Sequence, residues 1–227
     1  MFDSQQGAPR QPYQGDTTSN GDLAKLSGNI QINSKPYNVV KKIGEGGFAY
    51  VYLIRDGSAQ THNGSGIQNG ALFCLKASAI QTPEAKKIAE KEAAVLSLCA
   101  RNDVKNVIKS YDSILQPSGR GKIDQYIIME YADGGHAFGR VQAMASRQAK
   151  RYSLKELVAS FGQICTAVSF LHSKEITHRD LKLENFLICK DTYKLCDFGS
   201  CYKGVQKLTN NVERADAEDE IGKTTTQ

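Results

Sequence analysis

The sequence predicts an α+β chain folded as two unlike lobes with a crevice between them. Two observations predict it. The first half is mostly strand with one helix, and the second half is mostly helix. The 227 residues suit one large domain or two small lobes, and 40% hydrophobic residues supply a real core.

In chain order, residues 1 to about 28 are rich in Gln, Gly, Ser, Thr, Asn and Asp, and are expected to be disordered. KPYNVVKKI and FAYVYLI then read as two strands joined by GEGG. Asp56 to Gly70 is a long polar loop, and Ala71 to Ala77 is another strand. Thr82-Pro83 opens a helix, with Thr as N-cap and Pro at the first helical position. Tyr126 to Ala132 reads as a buried strand ended by Gly134-Gly135. Ser153 and Glu156 form a capping box ahead of Leu154, Leu157, Val158, Phe161, Ile164, Cys165, Val168 and Leu171, an apolar stripe at helical spacing. FLIC and YKLCD are two short strands around Lys190-Asp191-Thr192.

The net charge of +5 is too weak to argue for nucleic acid, and no aromatic-basic platform accompanies it. The six cysteines form no CxxC pair and sit mostly in apolar runs, which suits buried free thiols in a reducing compartment. No signal peptide is expected in MFDSQQGAPR, and no stretch of 18 apolar residues predicts a membrane span. A cytoplasmic location follows by default.

The chemistry begins at Gly44-Glu45-Gly46-Gly47. The segment joins two strands, so it is either a plain hairpin turn or a loop whose backbone N–H groups fold over phosphates. Lys76 stands on the third strand. In the helix after it, Glu92 falls inside the stripe Ile88, Val95, Leu96, Cys99, while Glu90 points to solvent. A carboxylate on a buried face needs a cation, and Lys76 is the candidate. In His178-Arg-Asp-Leu-Lys-Leu-Glu-Asn185, Asp180 can accept or orient a hydroxyl proton, and Lys182 can hold a phosphate by charge. Asn185 offers an amide oxygen suited to magnesium. Asp197, in Asp-Phe-Gly at a strand end, can bridge metal to phosphates. Positioning and charge neutralisation are what phosphoryl transfer requires.

From about Ile43 to Gly199 the chain resembles a eukaryotic protein kinase. GEGGFAYV is similar to the Gly-rich loop, FCLK to the third-strand lysine motif, HRDLKLEN to the catalytic loop and DFG to the magnesium loop. The resemblance implies a protein-kinase-like two-lobe α+β fold. An antiparallel-sheet lobe plus one helix would span about 29–131, and a partial, mainly helical lobe about 132–227 would end in the activation segment. It implies ATP and Mg2+ as cofactors and protein Ser/Thr hydroxyls as substrate, since Lys182 marks the Ser/Thr type of catalytic loop. Lys76 would meet the α and β phosphates and pair with Glu92. Asp180 would be the catalytic base, with Lys182 beside the γ phosphate, and Asn185 and Asp197 would hold magnesium. Ile43, Gly44, Gly46, Gly47, Val51, Cys74 and Leu187 would enclose the nucleotide. Met129 would be the gatekeeper, Glu130 and Ala132 the hinge, and His178, Phe198 and Leu96 a stacked spine.

EGGFAYVYLIRD, DFGS and the tail from Asn211 to Thr226 resemble the numb-associated kinase family, which implies endocytic adaptor or actin-regulatory partners. The Ala-Pro-Glu motif that family carries is absent, so the sequence reads as a truncated kinase with the Leu154–Phe161 stripe short of cover. A non-catalytic nucleotide- or protein-binding module is the alternative. His136 is expected to be a solvent-facing loop residue. Cys196 is either a small core residue or a thiol facing the nucleotide. Thr209, Thr224, Thr225 and Thr226 are solvated loop residues or switch sites.

Overall fold

The computed structural model describes residues 23–46, 49–58, 70–119, 122–204 and 209–225. The first lobe holds β1 (Gly28–Ile32), β2 (Lys35–Gly46), β3 (Ala49–Asp56), β4 (Leu72–Ile80), α1 (Pro83–Arg101), β5 (Ser110–Gly119) and β6 (Lys122–Glu130). The strands form one sheet in the order β1-β2-β3-β4-β6-β5, antiparallel at every pairing.

Strand alternation sorts the side chains between the two faces of this sheet. Tyr52, Ile54, Leu75, Ala77, Tyr126 and Ile128 pack with Leu23, Ile32 and Tyr37 on one face. On the other, Ile127 joins Val95, Leu96 and Cys99 of α1 in a core that continues to Phe186, Leu195 and Phe198 of the second lobe. That alternation leaves Cys74 and Lys76 on the cleft side of β4, between buried Leu75 and Ala77.

The second lobe holds α2 (Ala137–Ala145), α3 (Leu154–Ser173), β7 (Ile176–Thr177), a 3-10 turn at Leu183–Asn185, β8 (Phe186–Cys189), β9 (Thr192–Leu195), β10 (Tyr202–Lys203) and α4 (Asn211–Thr225). The chain enters this lobe past Gly134, whose N–H donates to Ile188 O at 2.9 Å. A Cβ there would stand 2.8 Å from that carbonyl, so the approach needs glycine. Asn106 O, on the loop after α1, accepts from Leu195 N, and Ile108 N donates to Leu195 O, both at 2.9 Å. These bonds tie the α1–β5 connection to β9.

Both helix starts follow the sequence expectation. Thr82 Oγ1 accepts from Ala85 N at 3.1 Å. At α3, Glu156 N donates to Ser153 Oγ at 3.3 Å and Ser153 N donates to Glu156 Oε2 at 2.7 Å. Several readings need correction. Residues 23–28, expected in the disordered tail, form a 3-10 turn and the start of β1, because Leu23 is buried against the sheet and its carbonyl accepts from the Tyr52 hydroxyl. β6 begins four residues before Tyr126 and ends at Glu130, paired along its length with β4 and β5. His136 is exposed as expected but is a helix cap: its Nδ1 accepts from Gly139 N at 3.0 Å, starting an α2 that the sequence reading lacked. β1, β5 and α4 were also not foreseen.

The α3 stripe stays largely open. Leu154, Leu157, Val158 and Phe161 are 77, 55, 62 and 64% exposed, while Ala167 and Leu171 are buried. Cys165 lies exposed on the same helix, so burial does not extend to every thiol. α3 is also long and apolar enough to match a membrane span by length and composition, contrary to the sequence expectation. Here Leu171 packs into the core and Gln163 Oε1 accepts from Tyr193 N at 2.7 Å, bonds of a helix docked on its lobe.

Candidate active site

A cleft of about 920 Å3 opens between the lobes. Its roof comes from Ile43, Gly44, Gly46, Val51 and Cys74, its rear from Met129 to Ala132, and its floor from Leu187, Asn185 and Asp197. The hairpin reading of the glycine segment is correct, since Gly46 pairs with Ala49 across β2 and β3. Gly44 and Gly46 of that hairpin also line the cleft. Gly47 lies outside the described residues. Tail residues 1–22 and Thr226 do too.

Lys76 Nζ sits 2.7 Å from Glu92 Oε1 and 3.1 Å from Asp197 Oδ1. The pair predicted from helical spacing therefore forms, and a carboxylate 121 residues along the chain joins it. Burial alone would lower the Lys76 ammonium, but the Glu92 and Asp197 charges outweigh it and hold it above the usual lysine range. Burial likewise opposes the Asp197 carboxylate, and the Lys76 charge and hydrogen bond reverse that and lower it. Lys76 thus bridges two carboxylates and favours the charged form of Asp197. Glu90 stays exposed, 3.8 Å from Lys86. Ile88, read as part of the buried stripe, is 47% exposed because it lines the cleft opposite Gly199.

Asp197 adopts φ 61° and Arg179 φ 65°, left-handed conformations that cost a side-chain-bearing residue of order 1 kcal/mol each. The surrounding bonds hold them there. Arg179 Nε donates to Ser200 O at 2.8 Å. Phe198 is fully buried, and its ring meets His178 edge-on at 5.3 Å between centroids. Leu96 belongs to the same packed core as Phe198, and the His178–Phe198 contact of the expected stack is present. His178 Nε2 lies 3.0 Å from Cys196 O, which only a donating N–H can satisfy, while Nδ1 accepts from Asp180 N at 3.3 Å. Both ring nitrogens are satisfied by the neutral tautomer. Burial lowers the His178 pKa accordingly.

Asp180 is the centre of the second group. Its Oδ2 receives Lys182 Nζ at 2.9 Å and Asn185 Nδ2 at 2.9 Å, and Asn185 Nδ2 also donates to Asp180 O at 2.8 Å. An Asn185 amide that donates twice to Asp180 presents its carbonyl oxygen as the remaining ligand atom. Cys196 lines the cleft while packing on the core, so both of its expected roles hold. Burial, and then the Asp197 charge, push its thiol up to about 12, which makes it a poor nucleophile.

The sequence reading missed the far side of the hinge. Glu130 Oε1 accepts from Lys109 N and from Lys194 Nζ, both at 2.7 Å, and Glu130 N is engaged with Lys109 O at 2.9 Å. Asn106 Nδ2 donates to Tyr193 O at 3.0 Å. The only sequence signal is a lysine at the solvent-facing position of a short strand, which any exposed lysine would share.

The residues fit the cofactors that the resemblance implies. The cleft is of nucleotide size, its walls at Val51 and Leu187 are apolar, and a Cβ at Gly46 would meet nothing, so the hairpin leaves room for phosphates. Asp197, 49% exposed, and the Asn185 oxygen form the hard oxygen set that Mg2+ prefers.

The model of the protein kinase domain family matches residues 37–217. Over 201 residues, 87% of this chain, the sequence is 33% identical to a probable serine/threonine-protein kinase of Dictyostelium discoideum, covering 17% of that protein. It is 31% identical to the serine/threonine-protein kinase chk1 of Schizosaccharomyces pombe, over 80% of this chain and 34% of the relative. Actin-regulating kinase 1 of Saccharomyces cerevisiae is 27% identical, over 87% of this chain and 30% of the relative. The chain therefore spans about a third or less of the length of these relatives. With its cleft, its Lys76–Glu92 pair and its Asp180 and Asp197 loops in one arrangement, the chain belongs to the protein kinase domain family.

Proposed function

We propose that the chain is the catalytic region of an ATP-dependent protein serine/threonine kinase. The carrying observation is that Lys76 holds Glu92 at 2.7 Å and Asp197 at 3.1 Å across one cleft while Asp180, Lys182 and Asn185 form a second connected group on its floor. Bound Mg-ATP supplies the γ-phosphoryl group and the metal that neutralises its charge. The chain supplies position and charge. Lys76 would orient phosphates, Asn185 and Asp197 would hold the metal, Asp180 would accept the proton of a Ser or Thr hydroxyl as its oxygen bonds the γ phosphorus and the bond to ADP breaks, and Lys182 would screen the phosphate charge.

The test is transfer of labelled γ-phosphate to a Ser/Thr-rich protein. Transfer is expected to be lost in Asp180→Ala and in Asp197→Asn; activity that survives both changes sinks the assignment.

Endocytic adaptors or actin regulators are the proposed substrates and partners. Support comes from the name of the yeast relative, an actin-regulating kinase, and from the resemblance of the tail to the numb-associated kinases. A cytoplasmic location is proposed on the six unpaired thiols, which suit a reducing compartment. The open α3 face favours a second reading, a module that binds nucleotide without transfer. Binding of Mg-ATP with no transfer at any protein concentration would select it.

A further inference from the structure

The hinge is a single extended crossing, Met129 to Ala132, whose main chain borders the cleft. Its backbone is paired with β4 and β5 as far as Glu130, whose N–H also donates to Lys109 O at 2.9 Å, and the next helix starts at Ala137. The Glu130 carboxylate adds a side-chain anchor, turning behind the strand to Lys109 N and Lys194 Nζ. The two side chains are 16% and 19% exposed, so the pair is shielded from water and strengthened by charge. Lys194 stands on β9, three residues before Asp197. The grip on the hinge therefore stands on β9, and the Asp197 carboxylate follows two residues after that strand ends. Leu195, between them, is locked to Asn106 and Ile108 of the other lobe.

We propose that Lys194 is a positioning residue for nucleotide binding: from behind the hinge it holds the Glu130 carboxylate and so sets the Met129–Ala132 main chain at the depth a purine base requires. The inference rests on the reading that the cleft binds ATP. Loss of the ammonium frees the carboxylate to seek water. The hinge then shifts outward, and the contacts to the base, which depend on main-chain position, weaken. Phosphate contacts at Lys76 and Asp197 are left in place.

The test is calorimetric titration of the 227-residue chain with ATP and with ADP, for wild type, Lys194→Met, Lys194→Arg and Glu130→Gln, each shown folded by circular dichroism. Lys194 lines a cavity of about 250 Å3 with Thr192 and Lys109, so arginine has room to reach the same carboxylate. Lys194→Met is expected to weaken both nucleotides by about five- to twentyfold, Lys194→Arg to bind within about twofold of wild type, and the double variant with Glu130→Gln to be no weaker than the weaker single. A pair that only stabilises the fold would lower the melting temperature of Lys194→Met without moving its nucleotide affinity. Affinity unchanged or increased in a folded Lys194→Met overturns the proposal and leaves the cleft assignment standing. If Lys194→Met does not fold, Glu130→Gln decides in the same way. A wild-type chain that binds neither nucleotide overturns the functional reading, and this proposal with it.

Discussion

The sheet lobe and the α3 face treat the same kind of residue in opposite ways. In the sheet, Ile54, Leu75, Ala77 and Ile127 are fully buried between two packed faces. On α3, Leu154, Leu157, Val158 and Phe161 form an equally regular apolar stripe, more than half exposed, with nothing among the described residues covering them. The site straddles this difference. Its upper half, with Val51, Cys74, Lys76 and Glu92, grows from the lobe whose core is closed. Asp180, Asn185 and Asp197 stand on loops held by Phe198 and His178, beside a core that buries Ala167 and Leu171 of α3 and packs on Ile164 and Phe170 but not on the stripe before them. Helical periodicity specifies which face is apolar, but it does not specify that the face is covered.

The comparison sharpens first at the chemistry. Asp180→Ala, which removes the proposed proton acceptor and the partner of Lys182, is expected to cut transfer about 10²–10⁴-fold, with nucleotide affinity nearly unchanged. Initial rates beside titration calorimetry separate the two effects. Next is Lys76→Met, which leaves Glu92, 5% exposed, as an unpaired buried carboxylate. The expected loss of stability is about 3–5 kcal/mol by denaturant unfolding, and replacing Glu92 with Leu in the same chain should recover part of it. In the sheet core, Leu75→Ala should cost about 2–5 kcal/mol. On the open helix, Phe161→Ser should change stability by no more than about 0.5 kcal/mol while reducing self-association in sedimentation. A large loss of stability from Phe161→Ser would break the comparison.

The smallest effect is a pH dependence. His178 is buried with its pKa lowered below the usual value near 6.5. Its unfolded form therefore takes up a proton first as pH falls. The stability it contributes is complete above about pH 6.5 and declines as pH drops from there toward the folded pKa. Melting curves between pH 8 and 5 should show a steeper fall for wild type than for His178→Asn.

Much of the site was legible because its chemistry needs fixed side chains at fixed spacing. Asp180, Lys182 and Asn185 meet within one loop, and Glu92 could be paired with Lys76 because a carboxylate on a buried helix face has few alternatives. What was not legible depends on tertiary approach. The grip of Lys194 on Glu130 spans 64 residues, and neither side chain stands out in its own strand. α2 escaped because its cap is a histidine and its nine residues are too few for a long periodic stripe. β1 escaped because Gly-Asn-Ile-Gln-Ile becomes a strand only by pairing with β2. Ile88 followed the right period and was misjudged because the neighbour on that side is a cleft.

The central claim is that the two lobes already form a nucleotide site around Lys76, Glu92 and Asp197. The most direct test is the melting temperature of this chain with and without Mg-ATP at millimolar concentration, for wild type and Asp197→Asn. The account predicts a rise of about 5 °C or more in wild type, by mass action on the folded state, and a much smaller rise in Asp197→Asn. No rise in wild type, or an equal rise in both, would contradict it.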